Sequence, residues 1–329
     1  MLRATAVMLT LAVSVGCLSN QPRTSREDEV KLALDLSRRF FDLGEMERAQ
    51  GQAQKGLKLD PDHIDLRLTL GRILQHRGSS NTIAKAEEIF RGLIDDADED
   101  WRLPLGLAEV LERKGLLYSE SADDIKSGVR YTDASDPDAR AAELEQISQD
   151  SWIESLTHFE TSLAIREGEA PINGMQRVNS LLERYEESLR WSERMLELIA
   201  IRKRSWRDQL AVSEISAEDE RRFRTRLHED DAKEARTRLL ASSNLRKLSR
   251  LEDAIEHLDM VIELEPDLIQ AFSRRAMLHF ELEDYQRAVD SIDHFLRAMA
   301  GRDYDDPDVR QAYNLRDDAL NAIARREGS

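Results

Sequence analysis

The sequence predicts an all-α protein, an α-solenoid of helix pairs, and three observations carry that expectation. Apolar and small residues recur at helical spacing along most of the chain, with no sustained alternation of β-branched residues. Aromatic residues make up only 5% of the chain, which suits helices packed through alanine and leucine better than a β-sandwich. Gly44, Pro61 and Pro266 fall where helical segments have to stop. With 40% hydrophobic and 34% charged residues among 329, the chain can bury a sizeable core beneath a solvated surface, and it is not a disordered chain.

Residues 32–62 set the repeating unit. Leu36 and Ser37 form a large-small pair, and Phe40 supplies an aromatic ring on the same first helix. Gly44 closes that helix where positive φ is wanted, Ala49 is a small residue on the second helix, and Pro61 ends the second helix by removing an N–H donor. This pattern resembles one tetratricopeptide repeat (TPR), a helix-turn-helix of ~34 residues. The resemblance implies stacked helix pairs that present a binding surface rather than a catalytic centre.

Six second helices align on the small residue, which is Ala49, Ala86, Ser155, Ser188, Ala254 and Ala288 in turn. Three positions earlier stand Met46, Ile83, Trp152, Tyr185, Leu251 and Tyr285. Eight positions later stand Leu57, Ile94, Leu163, Leu196, Ile262 and Leu296. Bulky, small and aliphatic residues at this spacing lie along one face, as close packing of two helices requires.

The expected organisation is an N-terminal TPR array over residues 29–115, an irregular insertion over 116–135, degenerate repeats with long helices over 136–247, and TPR-like helices with a cap over 248–329. The insertion reads either as a surface loop or as a functional excursion. Asp136 and Pro137 predict a helix start, continuing to about residue 166. A second helix of the fourth repeat runs to about residue 212, and Ser216 caps a further long helix to Lys247, with Asp219 in support. Two overlong central helices side by side predict a bend or boundary near Ser213. Asp306 and Pro307 start a final helix whose charged residues suit a solenoid cap.

The first 16 residues carry Arg3 and then an apolar run from Ala4 to Val15, the length of a signal-peptide core and too short to span a bilayer. Val13, Ser14, Val15, Gly16 and Cys17 resemble a bacterial lipobox, although Ser14 departs from the usual leucine. The resemblance implies a signal peptide over 1–16, lipid attachment at Cys17 and a tether over 17–28. The other reading is an ordinary signal peptide followed by a small apolar residue. Cys17 is the only cysteine, so no disulfide forms within the chain. Leu18, in place of Asp, resembles the outer-membrane sorting of such lipoproteins, facing the periplasm.

A net charge of −17, from 48 basic and 65 acidic residues, opposes binding to nucleic acid. The clusters Arg202 to Arg207 and Arg221 to Arg226 lie among acidic residues and read as solvated helix faces. The seven histidines form no metal-binding pair. Asp96, Asp98 and Asp100 imitate a calcium loop, but Trp101 stands where its glycine belongs and Leu107 where its glutamate belongs. No phosphate loop or nucleophile motif is present, so no catalytic residue, metal site or cofactor is expected.

The TPR resemblance makes the inner face of the first helices a candidate partner groove. Its residues are Lys31, Leu34, Arg38 and Phe41 in repeat one, Leu68, Arg72, Gln75 and His76 in repeat two, and Arg102 and Leu105 in repeat three. These make a mixed apolar and cationic strip that either holds a carboxylate-bearing segment or pairs with nearby acids of its own chain. The chaperone-binding carboxylate clamp of the family is not matched, because Leu and Arg replace its Lys and Asn. The sequence therefore points to a lipid-anchored scaffold or adaptor for envelope proteins or peptides, similar to pilotin-type lipoproteins and to adaptors of cell-wall enzymes. The alternatives are a helical cell-wall-processing enzyme and a purely structural spacer.

Overall fold

The computed structural model describes residues 25–96, 99–129, 136–212, 214–301 and 306–327. These contain thirteen helices and no strand. They are α1 (Arg26–Asp42), α2 (Met46–Leu59), α3 (Ile64–Arg77), α4 (Ser80–Asp96), α5 (Arg102–Lys126), α6 (Pro137–Ile165) and α7 (Glu169–Leu181). The chain continues through α8 (Tyr185–Leu210), α9 (Ala217–Lys247), α10 (Leu251–Leu264), α11 (Gln270–Glu281), α12 (Tyr285–Ala298) and α13 (Pro307–Glu327). The segment expected to be a signal peptide and Cys17 lie outside the described residues, as do the side chains of Asp96 and Asp98. Among the described residues no helix is long and apolar enough to cross a membrane.

The expected small column is the tightest feature of the fold. Ala49, Ala86, Ser155, Ser188, Ala254 and Ala288 are each 0% exposed. Four residues on come Ala53, Phe90, Phe159, Ser192, Leu258 and Ile292, and seven on come Gly56, Leu93, Ser162, Met195, Val261 and Phe295, all buried. The aliphatic column expected eight positions on is only half-buried. The core stripe thus follows a 0, +4, +7 row, the line along which one helix seats on another.

Turns of one geometry join α1 to α2, α7 to α8 and α11 to α12, and the same turn leads from α9 into α10. In the first, Gly44 has φ 75°, its N–H donates to the Phe41 carbonyl, and the Glu45 N–H donates to the Phe40 carbonyl. Glu183, Ser249 and Glu283 hold the same left-handed position with φ of 58–59°, although each carries a Cβ that disfavours it.

The chain divides into two compact units between Ile73 and Leu74, within α3. In the first unit α1 begins in a capping box: the Ser25 hydroxyl accepts from the Asp28 N–H and the Asp28 carboxylate accepts from the Ser25 N–H. The tether expected over 17–28 therefore gives way to helix at Arg26. Val30 and Leu34 of α1 pack on Leu66, and Ala49 and Ala53 of α2 pack on Ile73. The Ser37 hydroxyl donates to the Ala49 carbonyl at 2.9 Å, drawing α1 and α2 together where both residues are small.

In the second unit aromatic side chains of second helices insert against glycines of the following first helix. A Cβ built on Gly106 would stand 2.2 Å from Phe90, and one on Gly174 would stand 2.1 Å from Phe159. Only hydrogen fits at either place. Between α5 and α6, Ser155 donates to the Ala108 carbonyl at 2.8 Å and Trp152 Nε1 donates to the Glu112 carbonyl at 3.2 Å.

The irregular insertion expected over 116–135 is helical through Lys126, and residues 130–135 lie outside the described ones. Tyr118, Ala122 and Ile125 repeat the 0, +4, +7 row and pack on Ala141 and Leu144 of α6. Asp136 accepts from the Ala139 N–H and Pro137 opens α6, as expected. The division of the chain does not fall near Ser213, where a bend or boundary is expected, and Ser213 itself lies outside the described residues. Ion pairs join α8 to α9.

Candidate protein-binding groove

Within the second unit, α7 and α9 are first helices of consecutive pairs, and side chains rather than close backbone packing span the space between them. Ser180 Oγ donates to Asn244 Oδ1 at 2.7 Å, Asn244 Nδ2 donates to Ser188 Oγ at 2.7 Å, and Gln176 Nε2 donates to Ser192 Oγ at 2.7 Å. Beside this buried polar bridge lies a cavity of about 280 Å³. Asn173, Gln176 and Arg177 line it from α7, Met195 from α8, and Lys233, Arg236, Thr237 and Leu240 from α9. Spacings of three and four residues bring each set onto one helix face.

No carboxylate lines the cavity, in a chain of net charge −17. Arg177 forks onto Glu112 of α5, with Nε to Oε1 and Nη2 to Oε2 both at 2.7 Å. Burial works against the Arg177 charge, but the Glu112 carboxylate more than compensates, so the guanidinium is held charged. Lys233 reaches Glu169 at 3.0 Å. Arg236 is exposed and Asn173 half-buried, and among the described residues neither side chain has a hydrogen bond or an ion pair.

A charged platform supports the α9 side. Arg202 of α8 forks onto Asp230 and also pairs with Glu169, while Lys203 pairs with Asp231 at 2.5 Å and Glu234 at 2.7 Å. Trp206 Nε1 donates to Asp230 Oδ2 at 2.9 Å. Burial alone would raise Asp230, yet Arg202 and the Trp206 N–H outweigh it and hold the carboxyl below its usual range. Burial opposes the Lys203 charge in the same way, and Asp231 and Glu234 overcome it. Arg202 and Lys203, expected on a solvated face, instead pack between two helices.

The residues expected to form the groove fall differently. Leu34, Leu68 and Leu105 are buried at 8%, 3% and 2% exposure, so they belong to the core. Leu34 sits in the α1 core stripe with Val30, Ala33 and Ser37, and Leu105 packs with Ala108, Trp152 and Leu156. Lys31 and Arg38 are exposed and Phe41 and Arg72 half-buried in the first unit, where Arg38 pairs with Asp65 at 3.3 Å. In the second unit His76 is exposed, and Gln75 donates to Glu109 at 3.5 Å. Arg102 folds back on Asp100, with contacts of 2.6–3.0 Å, so the calcium-like loop holds its own arginine.

The α7–α9 cavity was missed, although its signal is in the register. Arg177 stands as far before the Glu183 turn as Arg38 stands before Gly44, and Asn173 occupies the place of Leu34. Extending the same register past the third repeat reaches both.

The chain matches no protein-family model and no curated protein. Among solved structures, that of PilW, described as a widely conserved type IV pilus biogenesis factor, aligns with a TM-score of 0.52 at 12% identity, covering 86% of this chain and 98% of that one. This chain has the TPR fold. YrrB, described as a TPR protein with an unusual peptide-binding site, aligns at 12% identity and TM-score 0.46, over 80% of this chain and 97% of that one. PilF of Pseudomonas aeruginosa aligns at 12% identity and TM-score 0.46, over 87% and 97%. No cluster of His, Cys, Asp or Glu among the described residues is arranged to hold a metal ion.

Proposed function

We propose that this protein is a membrane-anchored TPR scaffold that holds a segment of an envelope protein along the first helices of its second unit. The observation that carries this reading is the cavity between α7 and α9, lined by cations and amides in a strongly acidic chain. A surface of that kind recognises a peptide through hydrogen bonds and local charge while the rest of the chain stays soluble. Lipid on Cys17 confines the scaffold to the membrane surface and raises its effective concentration near membrane partners. Assembly of a secretion, pilus or cell-wall complex at the outer membrane fits such a device.

The test compares the native chain with Cys17→Ala in the source bacterium, by membrane fractionation and chemical crosslinking. The native chain is expected in the membrane fraction, captured with a defined set of envelope proteins, and Cys17→Ala in the soluble fraction with that set depleted. Equal fractionation of the two removes the anchor. A native chain that crosslinks to no protein removes the scaffold, and peptidoglycan cleavage by the purified protein would replace it with an enzyme.

A further inference from the structure

We infer that the α7–α9 cavity binds a single Asp or Glu side chain carried by a peptide segment that has no other acidic residue and passes through it. This rests on the groove reading above and adds the chemistry of its occupant.

Two polar side chains in the wall are left unpaired among the described residues, and they differ in kind. Arg236 offers a guanidinium fork, which suits a carboxylate in planar, two-point contact. Asn173 offers a donor and an acceptor on one amide, which together match the C=O and N–H of one peptide group. A half-buried amide with no partner loses hydrogen bonds that a passing backbone restores. Met195 and Leu240 add apolar wall for a neighbouring side chain. An amide placed to pair with a backbone in mid-course favours a segment that continues beyond the cavity over one that ends in it.

The charge balance limits the occupant to one carboxylate. Arg177 is already matched by Glu112, and Lys233 lies within the network of Glu169 and Asp230. Arg236 alone of the three lining cations has no carboxylate partner among the described residues. A run of acidic residues would meet the field of a −17 chain beyond the reach of Arg236, whereas one carboxylate in contact gains the local attraction and is repelled little.

The test uses the full chain on an array of randomised ten-residue peptides, acetylated and amidated at their ends so that side chains supply the only carboxylates. Bound peptides are expected to carry one Asp or Glu. Changing that residue to Asn or Gln is expected to weaken binding by at least tenfold. Arg236→Glu is expected to abolish the preference and Asn173→Ala to weaken all bound peptides alike, with helical circular dichroism unchanged in both. Peptides that bind equally well after the Asp or Glu is neutralised, or that ignore Arg236→Glu, overturn the inference and leave the groove reading standing. Enrichment of multiply acidic peptides overturns the single-carboxylate limit. No binding by the native chain to any peptide overturns the inference and the groove reading together.

Discussion

Two long hairpins in the second unit extend beyond the ordinary repeat length, and they differ in what their outer ends bury. The α5–α6 hairpin closes through Tyr118, Ala122 and Ile125 against Ala141 and Leu144, an apolar seam with small residues at its centre and one exposed ion pair, Lys126 to Glu145, at its rim. The α8–α9 hairpin closes through Arg202 and Lys203 against Asp230, Asp231 and Glu234, with Trp206 stacked on Phe223 at 5.9 Å. Their places also differ. The first is the turn end of one pair, whereas the second joins one pair to the next and carries the wall of the cavity. An apolar seam tolerates sliding among similar contacts, but a buried ion pair has one geometry in which every charge is matched. The second hairpin therefore fixes the register of α9, and with it the positions of Lys233 and Arg236.

The sharpest way to break this contrast is Lys203→Met. It leaves Asp231 and Glu234 without their shared cation, and the expected cost is about 3 kcal/mol. Native-state hydrogen exchange should show that loss in α8 and α9, and protection within 1 kcal/mol of the native chain would show that the network is not what holds them. In the apolar hairpin the corresponding change is Gly115→Ala. Its Cβ would stand 2.3 Å from Trp152 Nε1, so about 2 kcal/mol is lost through overpacking. That loss should be insensitive to salt in urea titrations, and a salt-dependent loss would contradict an apolar seam.

Acid separates the two hairpins more gently. Asp230 and Glu234 are held below the usual carboxylate range, so their contribution is complete above the unfolded value of about 4 and disappears as pH falls through the folded values. Amides of α8–α9 should lose exchange protection before those of α5–α6 when pH is lowered from about 5 to about 2.5. Simultaneous loss would mean that these carboxylates are not distinctive. The smallest effects lie at the short turns. Glu183→Gly and Glu283→Gly should each stabilise by about 0.5–1 kcal/mol, and Gly44→Ala should cost about 1 kcal/mol, measured by thermal unfolding. A destabilising glycine at either glutamate would show that the side chain contributes more than its strained φ costs.

What the sequence disclosed follows from how local each feature is. The small residue of each second helix was legible because only a small side chain lets two helices cross so closely, and no distant partner has to be known. The start of α6 and the cap of α9 were legible for the same reason: Asp136 and Ser216 act on N–H groups three residues away. The ion network was not legible, because Lys203 reads as solvated until its partners, 28 and 31 residues on, are brought against it. The helix over 116–126 was hidden because its row of Tyr118, Ala122 and Ile125 is interrupted by Ser119, Glu120, Ser121, Asp123 and Asp124. Leu34 was misread because one residue turns a helix by about 100°, so the core stripe and the inner face of a first helix lie side by side.

The most direct test of the account places a photo-crosslinking amino acid at Asn173, inside the cavity, and in a second strain at Arg190, on the exposed face of α8. Irradiation of native envelopes should join the Asn173 probe to a discrete protein partner and leave the Arg190 probe without it. Equal capture at both positions, or capture only at Arg190, would contradict binding through the α7–α9 cavity.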